Sequence, residues 1–203
     1  MTRYFLVRHG MCDAVGKYIA GRKKGISLNQ TGKHQIEMLA TKLKDIPVSA
    51  LYTGPLERTV ETAEIIGKQI NAKPVVCEEL DEVDYGKWTG MAFKELSCDP
   101  LWKEFNEAKG RFKIPGGEMM IEVQARICNF IERKRKLFNG NIITVSHCDT
   151  IKTAIINYAG FPLDMINRFS IDTASITILE TSDYGPVLNG VNCNVDEIQY
   201  DCF

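Results

Sequence analysis

The apolar residues of this chain switch repeatedly between two spacings. A short, nearly continuous apolar run at 3–8 (RYFLVR) predicts a buried strand. Residues 11–30 carry Gly16, Gly21 and Gly25 among scattered lysines and arginines, which predicts a loop of irregular turns. From near Thr31 the pattern becomes helical, with Ile36, Leu39, Ala40 and Leu43 on one face. VSALYTG at 48–54 predicts a second strand, ended by Gly54 and Pro55. LERTVETAEIIGKQI at 56–70 predicts a helix that turns Val60, Ala63, Ile66 and Ile70 inward, and KPVVCE at 73–78 a third strand. Residues 79–117 lose the rhythm; they hold Trp88, Trp102 and the turn KIPGGE, and read as a cap-like excursion over one face of the sheet. A long helix over 118–137 follows, with Ile121, Ala125, Cys128 and Ile131 as its inward stripe. NIITVSH at 141–147 predicts a strand, and DTIKTAIINYAG at 149–160 a helix closed by Gly160 and Pro162. SITILET (175–181) and PVLNGVN (186–192) predict a terminal antiparallel hairpin.

Alternation of strands and helices implies an α/β fold: a three-layer α/β/α sandwich around a mainly parallel sheet. No internal repeat or low-complexity linker divides the chain, so residues 1–203 are expected to form one domain with 79–117 as its cap.

Composition narrows the function. At 203 residues, 44% hydrophobic and 25% charged, the chain is ordinary globular protein, long enough to bury a core without staples. A net charge of -1 gives no polycationic footprint for nucleic acid. The basic runs GRKKG (21–25) and ERKRK (132–136) read as solvated faces or rims. No apolar run reaches the roughly 18 residues of a membrane span, and the N-terminus does not resemble a signal peptide. Seven widely spaced cysteines without a CxxC pair are expected to be reduced thiols of a cytoplasmic protein.

Chemistry collects at strand ends. Of three histidines, His9 and His147 stand at the carboxyl ends of predicted buried strands, where ligands bind in open α/β sheets. His34 lies on the polar side of a helix. Arg8 precedes His9, and Arg58 opens the second helix; both guanidiniums can reach the same crevice, and their forks suit phosphate oxygens. Gly10 lets the backbone approach an anion, and the helix beginning at 149 adds its positive end. Together these predict a phosphoryl site in which a neutral imidazole attacks phosphorus. The proton donor lies among Glu79, Asp81, Glu82 and Asp84, and spacing alone does not choose.

In this order, LVRHG, TGPLERTVETAEII, LDEVDYGKWTG, PGGE and TVSH resemble the motifs of the histidine phosphatase superfamily, the phosphoglycerate mutase-like family, over residues 3–160. The resemblance implies that His9 is the phosphorylated nucleophile. It implies that Arg8, Arg58 and His147 hold the phosphoryl oxygens and that Glu82 is the acid and base. It implies no metal and no cofactor. The chain departs from the family at Met11, Cys12 and Val15, which follow the RHG, and at Cys148, where glycine is usual. Cys12 and Cys148 are thus expected at the edge of the phosphate site, toward the leaving group.

The expected activity is hydrolysis of a small phosphomonoester through phosphohistidine. Alternatives are a phosphomutase, a phospholigand-binding module without turnover, and a metal site built from His9, Cys12, His147 and Cys148. Redox control through Cys12 and Cys148 is a further expectation, because nearby arginines lower thiol pKa values. The expected partner is a small phosphorylated substrate, with neither nucleic acid nor membrane; a homodimer stays open. Lys17, Arg22, Lys23, Lys24 and Arg111 could meet a second acidic group on the substrate or be solvated, and Trp88 and Trp102 could line the pocket, although core or cap packing is the first reading.

Overall fold

A computed structural model describes residues 1–194; Cys202, one of the seven cysteines, lies outside the described residues. Six strands form one sheet: β1 (Thr2–Arg8), β2 (Val48–Thr53), β3 (Val75–Val76), β4 (Gly140–Ser146), β5 (Ile176–Ser182) and β6 (Gly185–Cys193). Their order is β3-β2-β4-β1-β5-β6. β1 and β2 flank β4 in parallel, β3 continues parallel at the edge, and the β5–β6 hairpin is antiparallel. The third strand is shorter than expected, because Val75 and Val76 are exposed and only two residues reach the ladder.

Alternation along β1 builds two cores. Phe5 and Val7 point to one face, where α1 (Gln30–Leu43) and α2 (Glu57–Ile70) pack with Ile36, Leu39, Ala63 and Ile66. Tyr4 and Leu6 point to the other, against α5 (Met120–Arg135) and α6 (Cys148–Ala159). This is the three-layer sandwich. On α1 the expected stripe of Ile36, Leu39, Ala40 and Leu43 is buried, and Asn29 caps the helix by accepting from Gly32 N at 2.9 Å. On α5 the expected stripe is displaced: Met120, Val123, Ile127, Phe130 and Ile131 are buried, while Ile121 and Ala125 are exposed and Cys128 is half-buried. Both stripes have helical spacing, and the larger side chains take the core.

The excursion folds into short pieces, including α3 (Phe93–Leu96) and α4 (Pro100–Glu107). They pack around buried Trp88, whose ring lies 5.1 Å from Trp102, 5.4 Å from Phe105 and 6.0 Å from Phe112. This aromatic nucleus joins Met120, Val123 and Ile156 of α5 and α6. Gly86 allows the approach: it has φ +48°, and a Cβ there would lie 2.3 Å from the Pro115 carbonyl oxygen.

Topology creates the crevice. β1 and β4 are neighbours, with Arg8 opposite Ser146. After β1 the chain leaves toward α1 on one face, and after β4 toward α6 on the other. The sheet therefore opens between their carboxyl ends, where His9 and His147 follow in register.

Candidate active site

His9 is buried at 4% exposure, and its backbone N–H donates to Ser146 O at 3.1 Å, which continues the ladder one residue beyond β1. Its Nδ1 lies 2.8 Å from the Gly10 carbonyl oxygen. A carbonyl only accepts, so Nδ1 carries the proton and Nε2 carries the lone pair. Burial, followed by the Arg58 and Arg8 charges, holds the His9 pKa well below the usual imidazole range. The ring is therefore neutral at pH 7, with a nucleophilic nitrogen.

His147 is fully buried beside it, with ring centroids 5.2 Å apart and planes at 65°. Burial and Arg58 keep it neutral as well. Neither of its ring nitrogens has a hydrogen-bond partner among the described residues, although Glu82 Oε2 lies 3.7 Å from Nδ1. As N-cap residue of α6, His147 also brings the positive end of that helix to the crevice.

Arg58, in the first turn of α2, is among the largest fully buried side chains of the protein. One terminal guanidinium nitrogen, Nη2, donates to Gly21 O at 2.8 Å, and the other terminal nitrogen, Nη1, is unpartnered among the described residues. Arg8 donates to Ile171 O at 2.5 Å, and its Nε is unpartnered among the described residues. Buried unsatisfied donors on two cations and one imidazole are an arrangement for an incoming anion.

Glu82 closes the corner. Burial first, then the Asp149 charge, raises its pKa to about 7. It therefore exchanges a proton near neutrality. Two arginines hold its loop. Arg126 donates to the carbonyls of Glu79 and Asp81 at 2.8 Å each and of Glu82 at 3.0 Å. Arg22 donates to Glu82 O at 2.9 Å and pairs with Glu118 at 2.9 Å. Arg22 is thus a clamp rather than a receptor for a second acidic group. Glu118, the acid of PGGE, also accepts from Asp84 N at 3.0 Å, which ties that motif to the Glu82 loop.

A cavity of about 250 Å³ opens here, below the roughly 300–1,000 Å³ of drug-sized sites. Arg8, His9, Cys12, Arg58, Glu82 and Cys148 all line it. Gly10 plays a different part from the expected one. A Cβ on it would lie 2.6 Å from Gly32 O, and its N–H is taken by Thr62 Oγ1 at 3.2 Å, so the glycine seats β1 against α1. Cys12 is buried, and Cys148 points its Sγ to Ile171 O at 3.7 Å. Burial, then Asp149, pushes the Cys148 thiol up to about 11, opposite to the lowered value that redox control requires. Among the described residues no metal-type grouping of histidine, cysteine and carboxylate side chains occurs, so the four-residue cluster His9, Cys12, His147 and Cys148 is not assembled as ligands. His34 is exposed on its helix, as expected.

The sequence reading missed the far wall. Tyr85, Asp149, Lys109, Asn106 and Asn167 line the cavity, with Trp102 beside them. Asp149 is half-buried and accepts from the Tyr85 hydroxyl. Burial works against its charge, but Lys109, Lys152 and Tyr85 together hold its pKa below the usual value. Its one signal in the sequence is its place two residues after His147, in the first turn of the same helix.

Comparison with known proteins fits this geometry. The chain is 27% identical over 207 residues to phosphoserine phosphatase 1 of Hydrogenobacter thermophilus, covering 97% of this chain and 96% of the relative. It is also 27% identical over 176 residues to a 2,3-bisphosphoglycerate-dependent phosphoglycerate mutase of Thermoplasma acidophilum, covering 86% and 85%. The crystal structure of a phosphoserine phosphatase from Entamoeba histolytica, in complex with 3-phosphoglyceric acid, superposes with a TM-score of 0.84 at 26% identity, over 96% of this chain and 98% of that one. The family model of the histidine phosphatase superfamily (branch 1) matches residues 4–194, and the chain belongs to that superfamily.

Proposed function

We propose that this protein hydrolyses a small phosphomonoester through a phosphohistidine on His9. The observation that carries the reading is the Nδ1 bond from His9 to Gly10 O, which presents the bare Nε2 beside Arg8 and Arg58. In the first half, Nε2 attacks phosphorus and forms a P–N bond while the P–O bond to the leaving alcohol breaks. Protonated Glu82 gives its proton to the departing oxygen. In the second half, ionised Glu82 takes a proton from water, whose oxygen attacks phosphorus as the P–N bond breaks. Inorganic phosphate leaves, and His9 and Glu82 return to their starting states. Arg8, Arg58 and the N–H of His147 balance the charge on the phosphoryl oxygens throughout. This is an acid-type, metal-independent mechanism, in which cationic side chains supply the charge.

Residues 1–203 act in this proposal as one domain, with 79–117 as a cap over the leaving group. A cytoplasmic location is part of this reading, supported by widely spaced cysteines without a CxxC pair; no helix among the described residues is long and apolar enough to cross a membrane. The test is phosphate release from a phosphomonoester panel, with trapping of an acid-labile phosphoenzyme. Wild type labels and turns over, whereas His9→Ala does not label and loses at least about a thousandfold in rate. Full activity in His9→Ala overturns the mechanism. The likeness to a phosphoglycerate mutase supports a second reading, transfer to another hydroxyl of the substrate. Formation of 2-phosphoglycerate from 3-phosphoglycerate faster than phosphate release selects it.

A further inference from the structure

The phosphoryl corner uses only part of the cavity. The remaining wall comes from α4, the residues after it and the turn at 163–168, and it holds an ammonium that the hydrolysis does not employ. Lys109 is 4% exposed. Its Nζ lies 3.8 Å from the Phe105 ring centroid and 5.9 Å from that of Trp102. Ring faces favour a cation but do not neutralise it. The ammonium makes no ion pair or hydrogen bond with any described residue. Burial lowers its pKa to about 8, with Asp149 opposing, so it stays protonated at pH 7.

Asp149 does not serve as its dedicated partner. That carboxylate accepts from the Tyr85 hydroxyl and lies 3.8 Å from Lys152 Nζ. Two lysines face one carboxylate, and the wall keeps one positive charge in excess. An ammonium packed against rings, attracted by Asp149 only from beyond ion-pair distance and sharing it with Lys152, is stabilised when a further anion reaches it. Asn106 and Asn167 stand beside it, their side-chain amides joined at 3.3 Å.

We infer that Lys109 is the subsite for a second, anionic group of the substrate, a carboxylate, so that the substrate is a small phosphorylated carboxylic acid. The inference rests on the phosphomonoester reading of the His9 corner. A carboxylate fits better than a second phosphate. One ammonium with flat aromatic and amide neighbours suits a planar monoanion, and the Asp149 charge disfavours a dianion. The cavity volume admits a three-carbon acid alongside the phosphoryl group and little more.

Matched pairs test this. 3-Phosphoglycerate and glycerol 3-phosphate differ by the carboxylate, as do O-phosphoserine and phosphoethanolamine. Wild type should show kcat/KM at least tenfold higher for the acid in one of the pairs. Lys109→Met should bring that ratio toward one through loss on the acid, and Lys109→Arg should keep it. Equal kcat/KM within both pairs for wild type, or an unaltered ratio in a folded Lys109→Met, overturns the subsite. Calorimetric binding of the same four compounds to His9→Ala reads the subsite without turnover. Tighter binding of the acids there supports the subsite even if no phosphomonoester is hydrolysed. Equal binding of acid and alcohol there overturns the subsite, whatever the panel says of catalysis.

Discussion

Glu82 and Asp149 are two partly buried carboxylates on the wall of one cavity, held in opposite protonation tendencies. Burial and the neighbouring negative charge raise Glu82 to about 7, whereas two lysines and a tyrosine hydroxyl keep Asp149 ionised. Environments that push two acids apart fit the roles of the proposed mechanism, in which Glu82 moves the proton and Asp149 supplies the field that keeps it on until the leaving oxygen needs it.

The first prediction follows from that coupling. Where phosphoryl transfer to His9 limits turnover, protonated Glu82 is required, and activity should fall on the alkaline side with an apparent pKa near 7. Asp149→Asn removes the negative charge that raises Glu82. The alkaline limb should then move down by about one unit. The measurement is the pH profile of phosphoenzyme formation, with thermal melting to show that the variant is folded. A limb that stays in place or moves up contradicts the coupling.

Arg58 predicts a thermal response to anions. Its Nη1 and the Nε of Arg8 are buried and unpartnered, so bound phosphate satisfies groups that otherwise destabilise the fold. Inorganic phosphate at a hundred times its dissociation constant should stabilise wild type by about 2.7 kcal/mol. For a domain of this size that raises Tm by roughly 5–10 °C. In Arg58→Met the rise should shrink to about 2 °C or less, because a guanidinium donor pair is gone. Differential scanning calorimetry with and without phosphate reads it, and an undiminished rise in the variant sinks the assignment.

Arg126 does not line the cavity, yet it anchors three carbonyls around Glu82, the proposed general acid. Arg126→Met should leave the phosphate corner intact and let Glu82 wander. A misplacement of about 1 Å at a reacting group costs on the order of a hundredfold. The expected result is a kcat lower by about ten- to a hundredfold, with KM changed less and with the phosphate-induced rise in Tm retained. Loss of that rise together with kcat indicates general unfolding instead of a displaced acid.

The split between these predictions matches what the chain reveals before folding. The meeting of Arg8, His9, Arg58 and His147 is legible because each stands at the end of an element. Val7 hands the strand to Arg8 and His9, Ser146 hands it to His147, and Arg58 stands in the first turn of α2. Strand and helix periodicity find those ends without knowing the packing. Glu82 needs more, since spacing leaves four acids open and only the resemblance singles it out. Lys109, Asn106 and Asn167 are illegible for a physical reason. Their positions depend on how Trp88, Phe105 and Phe112 stack, which has no period in the sequence. The displaced stripe on α5 has the same origin: two apolar faces compete, and only contact with the sheet selects one. Arg126 sits on the flank between them, where an arginine would ordinarily be solvated.

The last prediction concerns stability, and its sign separates Glu82 from the histidines. Glu82 has its folded pKa raised from the ordinary 4.5 to about 7. Its neutral form therefore favours folding below pH 4.5, and that contribution is lost as pH rises to about 7. His9 and His147 have lowered pKa values, so their contribution is present above the ordinary imidazole range and is lost as pH falls below about 6.5. Glu82→Gln removes only the first effect. The variant should thus gain stability over wild type progressively between pH 4.5 and 7, reaching roughly 3 kcal/mol by pH 8, and gain little at pH 4. The histidine-driven loss toward acid should persist in both proteins. Urea unfolding at pH 4, 6 and 8 measures the difference. A gain that is flat with pH means that Glu82 is not held protonated in the folded state, and the same result removes it as the acid that protonates the leaving group.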